Sequence, residues 1–498
     1  MPNRYQFVRK SIAVLITCGL TAGLLPGVAA LALPVSAQTP AALTASDAPK
    51  QKPNIIVILA DDYGWGSAGC YGAPAQLETP HLDRLALEGR RFTNAYAPSS
   101  VCSPTRYGLM TGRYDWRTRG DGGGVIGKEA SLQIETDRLT LASLCKGQGY
   151  RTAAFGKWHL GLQAPPGRTD WNKPLEPGPR AIGFDYFFGI AANAWNGPHT
   201  FIENETLLGR IPGEKIRIME NYSPTNYTTG ITEQYDTDYL MEEFTDKATD
   251  WIEKNSSESF FIYYAATAVH KPHDYHPRFT GSPFGKYGNF IEELDWCVGR
   301  ILTQLDRLKL ADNTLVIFTS DNGGVVNQRD PEIKYAMNAG LDINGPLRGG
   351  KHSEWEGGFR EPFLVRWPGK VPAGTVSDQV ISLNDILATL AGILDVPLPN
   401  GNAEDSFNAW RLFTEENPGP PIRDHVIVHA ANSTYSIRMG DWKLVERKAP
   451  KQNELYNIKE DVAEAKNVIA ANADRAAQMH KILSEARDRG YTRPDAGK

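Results

Sequence analysis

Residues 54–60, Asn-Ile-Ile-Val-Ile-Leu-Ala, form an unbroken apolar, β-branched run that stops on two carboxylates, Asp61 and Asp62. A short run without polar alternation predicts a strand covered on both faces, as a parallel sheet requires. Residues 314–320 (TLVIFTS) repeat the pattern and stop on Asp321-Asn322-Gly323-Gly324. Runs at 150–155, 259–266 and 362–367 read the same way. Between them lie helical patterns: HLDRLALEG (81–89), LTLASLCKGQ (139–148), YLMEEFTDKATDWIEKN (239–255) and FIEELDWCVGRILTQLDRL (290–308). Strands alternating with helices predict an α/β domain, a large and mostly parallel sheet flanked by helices and joined by right-handed crossovers.

Past about residue 400 the texture changes. Segments 425–430, 434–439, 441–447 and 454–458 read as short alternating strands, and one helix follows to residue 489. The expected organisation is therefore a large domain over 53–400 and a smaller α+β unit over 401–498, with an antiparallel sheet and a packed helix. The boundary falls in the Pro- and Asn-rich stretch 395–407.

Arg4, Arg9 and Lys10 precede an apolar run over 11–33, and Val35-Ser36-Ala37 offers small residues for cleavage. This reads as a secretory signal peptide over 1–37, followed by an Ala-, Pro- and Thr-rich leader over 38–52. A retained membrane anchor is the alternative, opposed by Pro26 and the glycines within the run. Lipidation at Cys18 fits poorly because Thr17 precedes it. Export to a periplasm or the exterior, with no stable membrane span after cleavage, is the expectation. Beyond the signal only Cys70, Cys102, Cys145 and Cys297 remain, too few for a disulfide scaffold. Hydrophobic residues make up 41% and charged residues 22% of the 498, with a net charge of −5. That balance describes an ordinary globular chain with no global basic field for nucleic acid, so any anion site has to be a local cluster.

Cys102-Ser103-Pro104-Thr105-Arg106 carries the strongest signal. Pro104 suits a first helical turn, which sets Cys102 at a helix N-terminus where backbone N–H groups favour anions, with Arg106 one turn on. A low-pKa thiolate and a buried structural cysteine are the two readings of the residue itself. Asp61-Asp62 and Asp321-Asn322 each follow a strand, at the sheet edge where α/β proteins place their sites. Three carboxylates and an amide oxygen form a hard-oxygen set suited to Ca²⁺ or Mg²⁺ rather than zinc.

Cys-x-Pro-x-Arg followed four residues later by Thr111-Gly112-Arg113 resembles the signature of the type I sulfatases, in the alkaline phosphatase superfamily. The resemblance runs from Asn54 to about residue 393, with the motifs in the family's order. It implies an alkaline phosphatase-like fold and conversion of Cys102 to formylglycine (3-oxoalanine) by a formylglycine-generating enzyme. It also implies a calcium ion held by Asp61, Asp62, Asp321 and Asn322, with residue 102 completing the shell. Asp321 would help deprotonate the attacking hydroxyl. Thr105 stands where many members have Ser. Lys157 would bind nucleophile and sulfate, His159 would be the base that breaks down the sulfo-enzyme, His270 would protonate the leaving oxygen, and Lys351 would bind sulfate. Asn193 falls near a position where many arylsulfatases carry a sulfate-touching serine, and is taken as a substrate contact. His273 and His276 read as rim or structural residues.

With a divalent ion, Arg106, Lys157 and Lys351 set about +5 against about −3 from the three aspartates, a surplus suited to a monoester anion. The expected activity is hydrolysis of sulfate monoesters, on a sulfated carbohydrate or an aryl sulfate ester. The aromatic stretch 171–195 is where sugar contacts would arise. A phosphonate or phosphate ester hydrolase of the same superfamily and a non-catalytic sulfoglycan-binding protein are the alternatives.

Overall fold

The computed structural model describes residues 52–120, 123–219, 227–448 and 451–497. The expected signal segment, and the leader apart from Lys52, lie outside the described residues. Among the described residues no helix is long and apolar enough to cross a membrane.

Asn54–Ala60 is the centre of an eleven-stranded sheet. It pairs in parallel with Thr314–Ser320 on one side and Phe260–Ala265 on the other. Arg151–Lys157 and Tyr186–Ile190 extend the parallel order outward. Beyond Thr314–Ser320 the direction reverses twice: Arg360–Arg366 is antiparallel to it, and Arg90–Tyr96 is antiparallel to Arg360–Arg366. Residues 362–367 had no sequence cue for that reversal.

Alternation along the strand explains how a wholly apolar run serves two cores. Ile55, Val57 and Leu59 enter one cluster with Tyr107, Leu109, Leu141 and Ile386, while Ile56, Ile58 and Ala60 enter the other with Phe244, Leu294 and Ile301. Helices Cys102–Thr111, Leu141–Gly147 and Asp385–Ile393 cover the first face; Leu240–Lys254 and Gly285–Arg307 cover the second. Every seven-residue segment 54–60 and 314–320 is fully buried, as predicted for strands with helices above and below.

The C-terminal strands are Val426–His429, Tyr435–Met439, Trp442–Val445 and Glu454–Asn457, an antiparallel meander in sequence order. Helix Ala473–Arg489 packs Met479, Leu483 and Ala486 onto it, beside Tyr114 and Trp116 from the segment after the Cys102 helix. A buried charge cluster ties this sheet to the large one. Lys443 Nζ lies 3.1 Å from Glu356 and 2.8 Å from Glu464, while Arg438 donates to Asn94 Oδ1 at 2.9 Å and also to the Tyr96 hydroxyl.

Candidate active site

The parallel strands deliver the site by ending at one edge. Asp61-Asp62, Asp321-Asn322, Lys157 and, past Ala265, His270 all follow or close such strands. Two reversals restore the direction of Arg90–Tyr96, so Cys102 leaves the sheet at the same edge; Lys351 arrives there just before the reversed strand. Cys102 is the first residue of its helix, after an extended Val101. Gly112 ends that helix in the left-handed region at φ 64°, its N–H on Gly108 O at 2.8 Å, which accounts for the glycine in Thr111-Gly112-Arg113. The Thr105 hydroxyl is buried and donates to Ser99 O at 3.0 Å, so the threonine is accommodated without disturbing Cys102.

Three carboxylates face three cations in a site almost closed to solvent. Lys157 Nζ is 2.6 Å from Asp61 Oδ2, Lys351 Nζ is 2.7 Å from Asp62 Oδ1, and Arg106 Nη2 is 2.7 Å from Asp321 Oδ2. Arg106 also donates through Nε to Asp321 at 3.0 Å, through Nη1 to Lys157 O at 3.0 Å, and to the Tyr263 hydroxyl at 3.4 Å. Cys102 Sγ sits between the two sets, 3.5 Å from Asp61 Oδ1 and 3.6 Å from Lys351 Nζ. Asp62 occupies the left-handed region at φ 62°, a conformation rare for a side-chain-bearing residue. That turn brings two consecutive carboxylates to one cluster instead of opposite faces. Asp62 N–H donates to Asp321 Oδ1 at 3.2 Å and locks the two strand ends together.

Electrostatics follow from burial and pairing. Burial would raise the Asp62 carboxyl, but Lys351 and His270 outweigh it and hold it below the ordinary value. Burial and then Asp61 push Asp321 up against the pull of Arg106. Burial, with Asp321 next, pushes the Cys102 thiol up despite Lys157 and Lys351. The low-pKa thiolate reading of Cys102 is thereby corrected: a desolvated sulfur beside carboxylates is held as the thiol.

The histidines have assigned tautomers, because a carbonyl oxygen only accepts. His159 donates Nε2–H to Ile126 O at 3.0 Å, leaving Nδ1 a buried lone pair without a partner among the described residues. Burial, Lys157 and Arg106 keep the ring neutral, so that lone pair is available as a base. His159 also holds a left-handed backbone, φ 54°. His270 donates Nδ1–H to Lys271 O at 2.7 Å and turns Nε2 toward Asp62 Oδ2 at 3.8 Å. Its pKa is lowered by burial and then Lys351, with Asp62 opposing.

The donor set fits a hard divalent cation. Asp61, Asp62, Cys102 and His270 present ligand atoms all within 4.8 Å of one another. Asn322 donates Nδ2–H to Asp62 Oδ1 at 2.8 Å while its Oδ1 is buried with no partner among the described residues, an orphan acceptor a cation would satisfy. Asp321, expected among the ligands, accepts from Arg106 at Oδ2 and from Asp62 N–H at Oδ1, which keeps a further lone pair for a cation, and His270 also stands in the tight cluster.

Nine of the expected residues are thus contiguous, and His159 lies beside Lys157 and Arg106. Asn193 is not joined to the cluster: among the described residues its carboxamide oxygen is buried without a partner. Two positions on, Trp195 does reach it, with its ring 5.1 Å from that of His270. His273 packs on Tyr287, and His276 caps a short helix and pairs with Glu242, so both are structural. Tyr263 escaped sequence reasoning because an aromatic within an apolar strand looks like core. The four described cysteines are all unpaired.

The family model described as Sulfatase matches residues 53–396, and that described as N-sulphoglucosamine sulphohydrolase, C-terminal, matches 350–489. The chain belongs to the sulfatase family. This sulfatase is 35% identical to the N-acetylgalactosamine-6-O-sulfatase of Bacteroides thetaiotaomicron, over 88% of this chain and 94% of that one. It is 34% identical to rat steryl-sulfatase, over 73% and 71% of the respective chains. A solved chain from the Bacteroides thetaiotaomicron system for metabolism of multiple glycosaminoglycans superimposes with a TM-score of 0.83 at 35% identity, covering 88% of this chain and all of the other. Sulfuric ester hydrolysis, the alkaline phosphatase-like architecture and the C-terminal antiparallel sheet are therefore properties of this chain.

Proposed function

We propose that this chain is an exported, periplasmic or secreted sulfatase that cleaves the S–O bond of sulfated carbohydrates. Its catalytic unit spans 53–400, with 401–498 as a C-terminal subdomain, behind a cleaved segment 1–37. Residue 102 acts as formylglycine, and a calcium ion is held by Asp61, Asp62, Asp321 and Asn322. The observation that carries this reading is Cys102 at a helix N-terminus, with an Asp61 oxygen and the Lys351 ammonium each within 3.6 Å of its sulfur.

Formylglycine supplies, as its hydrate, one hydroxyl to attack sulfur and a second whose deprotonation restores the carbonyl and expels sulfate. The remaining work belongs to the chain's own groups. Lys157 and Lys351 bind the sulfate oxygens as compact charges, and Arg106 fixes Asp321 by two donors on one carboxylate oxygen. The Nδ1 lone pair of His159 takes the proton released when the ester is broken down. His270, turned Nε2 inward, gives a proton to the leaving oxygen; the negative charge of an incoming sulfate ester beside it raises its affinity for that proton.

Cys102, Pro104 and Arg106 are all buried in the folded chain. A modifying enzyme must therefore act before folding closes over them. The test is the mass of the peptide containing Cys102 from protein made in its native host, with sulfate release measured with and without chelator. An unmodified thiol, or turnover indifferent to chelator, would contradict the proposal. For substrate, the relative named for N-acetylgalactosamine 6-O-sulfate supports a sulfated sugar; a panel of sulfated saccharides against small aryl sulfates checks it, and turnover of the aryl esters alone would count against it.

A further inference from the structure

The leaving group must lie against His270, because the proton it needs comes from there. What surrounds His270 on the solvent side is specific. The Trp195 ring is 5.1 Å from the His270 ring, and the Lys271 ammonium lies 4.9 Å over the Trp195 ring. Trp195 is half-buried, and the segment that carries it is pinned on both sides. Its carbonyl accepts from His199 Nε2–H at 3.2 Å, and the preceding Ala194 carbonyl accepts from the Tyr235 hydroxyl at 2.8 Å. Lys271 is exposed, and among the described residues its ammonium contacts Trp195 without entering an ion pair. Its backbone is fixed to the catalytic group, since Lys271 O accepts from His270 Nδ1–H at 2.7 Å.

We propose that Trp195 and Lys271 form the leaving-group subsite, with Trp195 as the stacking face for a pyranose ring and Lys271 as the cation that selects a second negative group next to the scissile sulfate. This rests on the sulfatase reading and on His270 as proton donor. A pyranose presents weakly positive C–H bonds to the negative face of an indole. The exposed Lys271 side chain lies over the same indole, so a sugar seated there displaces the ammonium from the ring face to the sugar's edge. A neutral aryl or steroid alcohol offers nothing to that charge. A sugar bearing a carboxylate or a further sulfate does, and the cost of leaving the ammonium solvated is small enough for the pair to be selective rather than obligatory.

The experiment uses the full chain and three disaccharides that share one scissile sulfate: one with a neighbouring uronate and a second sulfate, its carboxyl-reduced form, and its singly sulfated form. Lys271→Met is expected to lower kcat/KM on the doubly substituted substrate about three- to tenfold more than on whichever form lacks the recognised anion, through KM. The form that escapes identifies carboxylate or sulfate as the group read. Added salt should erode the preference. Trp195→Ala should raise KM on all three alike. Equal losses for Lys271→Met on all three substrates, or an unchanged saccharide KM in Trp195→Ala, would overturn the subsite. Calorimetric binding of the same disaccharides to Cys102→Ala protein separates the two levels. Discrimination by Lys271 that persists in binding, with wild-type protein releasing no sulfate from any of the three disaccharides, would strike the sulfatase reading and leave the subsite standing.

Discussion

Replacing Lys157 by methionine removes one charge from a site balanced three against three, and its consequence can be worked from the distances. Asp61 and Lys157 are both buried, with the ammonium 2.6 Å from Oδ2. The other cation near Asp61, Arg106, is 3.6 Å from Oδ1 and already bound to Asp321 at 2.7 Å. Methionine fills most of the volume but leaves the carboxylate only Arg106, shared with Asp321, as counter-charge. Breaking a buried pair from one side costs about 3–5 kcal/mol, because the survivor stays desolvated and unpaired. A divalent ion at Asp61 restores the missing charge, so the variant should gain more from calcium than the wild type does. Urea unfolding followed by tryptophan fluorescence, in chelator and in excess calcium, reads both quantities; equal m-values confirm that the same unfolding is compared. The expected result is a deficit of about 3–5 kcal/mol in chelator that shrinks in calcium. A deficit below about 1 kcal/mol, or identical calcium effects on both proteins, would refute the reasoning.

Three other outcomes are expected. His159→Gln should lower kcat on an aryl sulfate by about 10²–10⁴-fold while the melting temperature holds; unchanged kcat would remove its lone pair from the chemistry. Glu293, pushed up to about 8 by burial with Glu242 and Asp238 adding to it and the His276 N–H and Arg278 opposing, keeps a proton in the native state that the unfolded chain gives up above about 4.5. Stability should therefore fall as pH rises through that window, by at most about 1.4 kcal/mol per unit, and Glu293→Gln should flatten the slope in thermal melts. Gly323→Ala would set a Cβ 1.7 Å from Gly357 O, so the turn carrying Asn322 must shift. A loss of about 1–3 kcal/mol in unfolding free energy, read as a lower urea midpoint, with weaker calcium binding, is expected; a wild-type midpoint would mean the contact relaxes freely.

The parts of the fold that could be read in the chain were those whose patterning is extreme. Residues 54–60 and 314–320 admit little besides a doubly covered strand, and their terminal aspartates then fall at the sheet's active edge without further assumption. The four C-terminal strands were legible for the opposite reason: their alternation matches one covered face. Arg90–Tyr96 was not legible. Its two arginines and Asn94 are polar residues whose partners come from remote segments, such as Leu412 O for Arg90 and Arg438 for Asn94. Pairing direction was likewise invisible at Arg360–Arg366, since sequence gives a strand's covering but not its neighbour. In the site, residue type and spacing singled out Cys102, Arg106 and the strand-end Asp61-Asp62 and Asp321-Asn322, while Lys157, His159, His270 and Lys351 were reached only through the resemblance to the sulfatases. The left-handed turn at Asp62, the tautomers of His159 and His270 and the contact of Trp195 with His270 depend on distant backbone, so no local pattern announces them.

Glu356, a few residues beyond Lys351, is gripped from the small sheet by Lys443, and Gly357 N–H donates to Arg348 O at 2.8 Å across the loop that carries Lys351. On the far side Gly358 O accepts from Gly323 N–H at 3.1 Å, next to Asn322. The two family models overlap in this very stretch, over 350–396. Any chimaera that borrows its C-terminal portion from a cousin therefore inherits a different clamp on the catalytic loop. Cutting the gene at the apparent linker near residue 400 would leave Glu356 behind with a foreign lysine partner, and only a crossover ahead of residue 348 keeps clamp and loop in one inheritance.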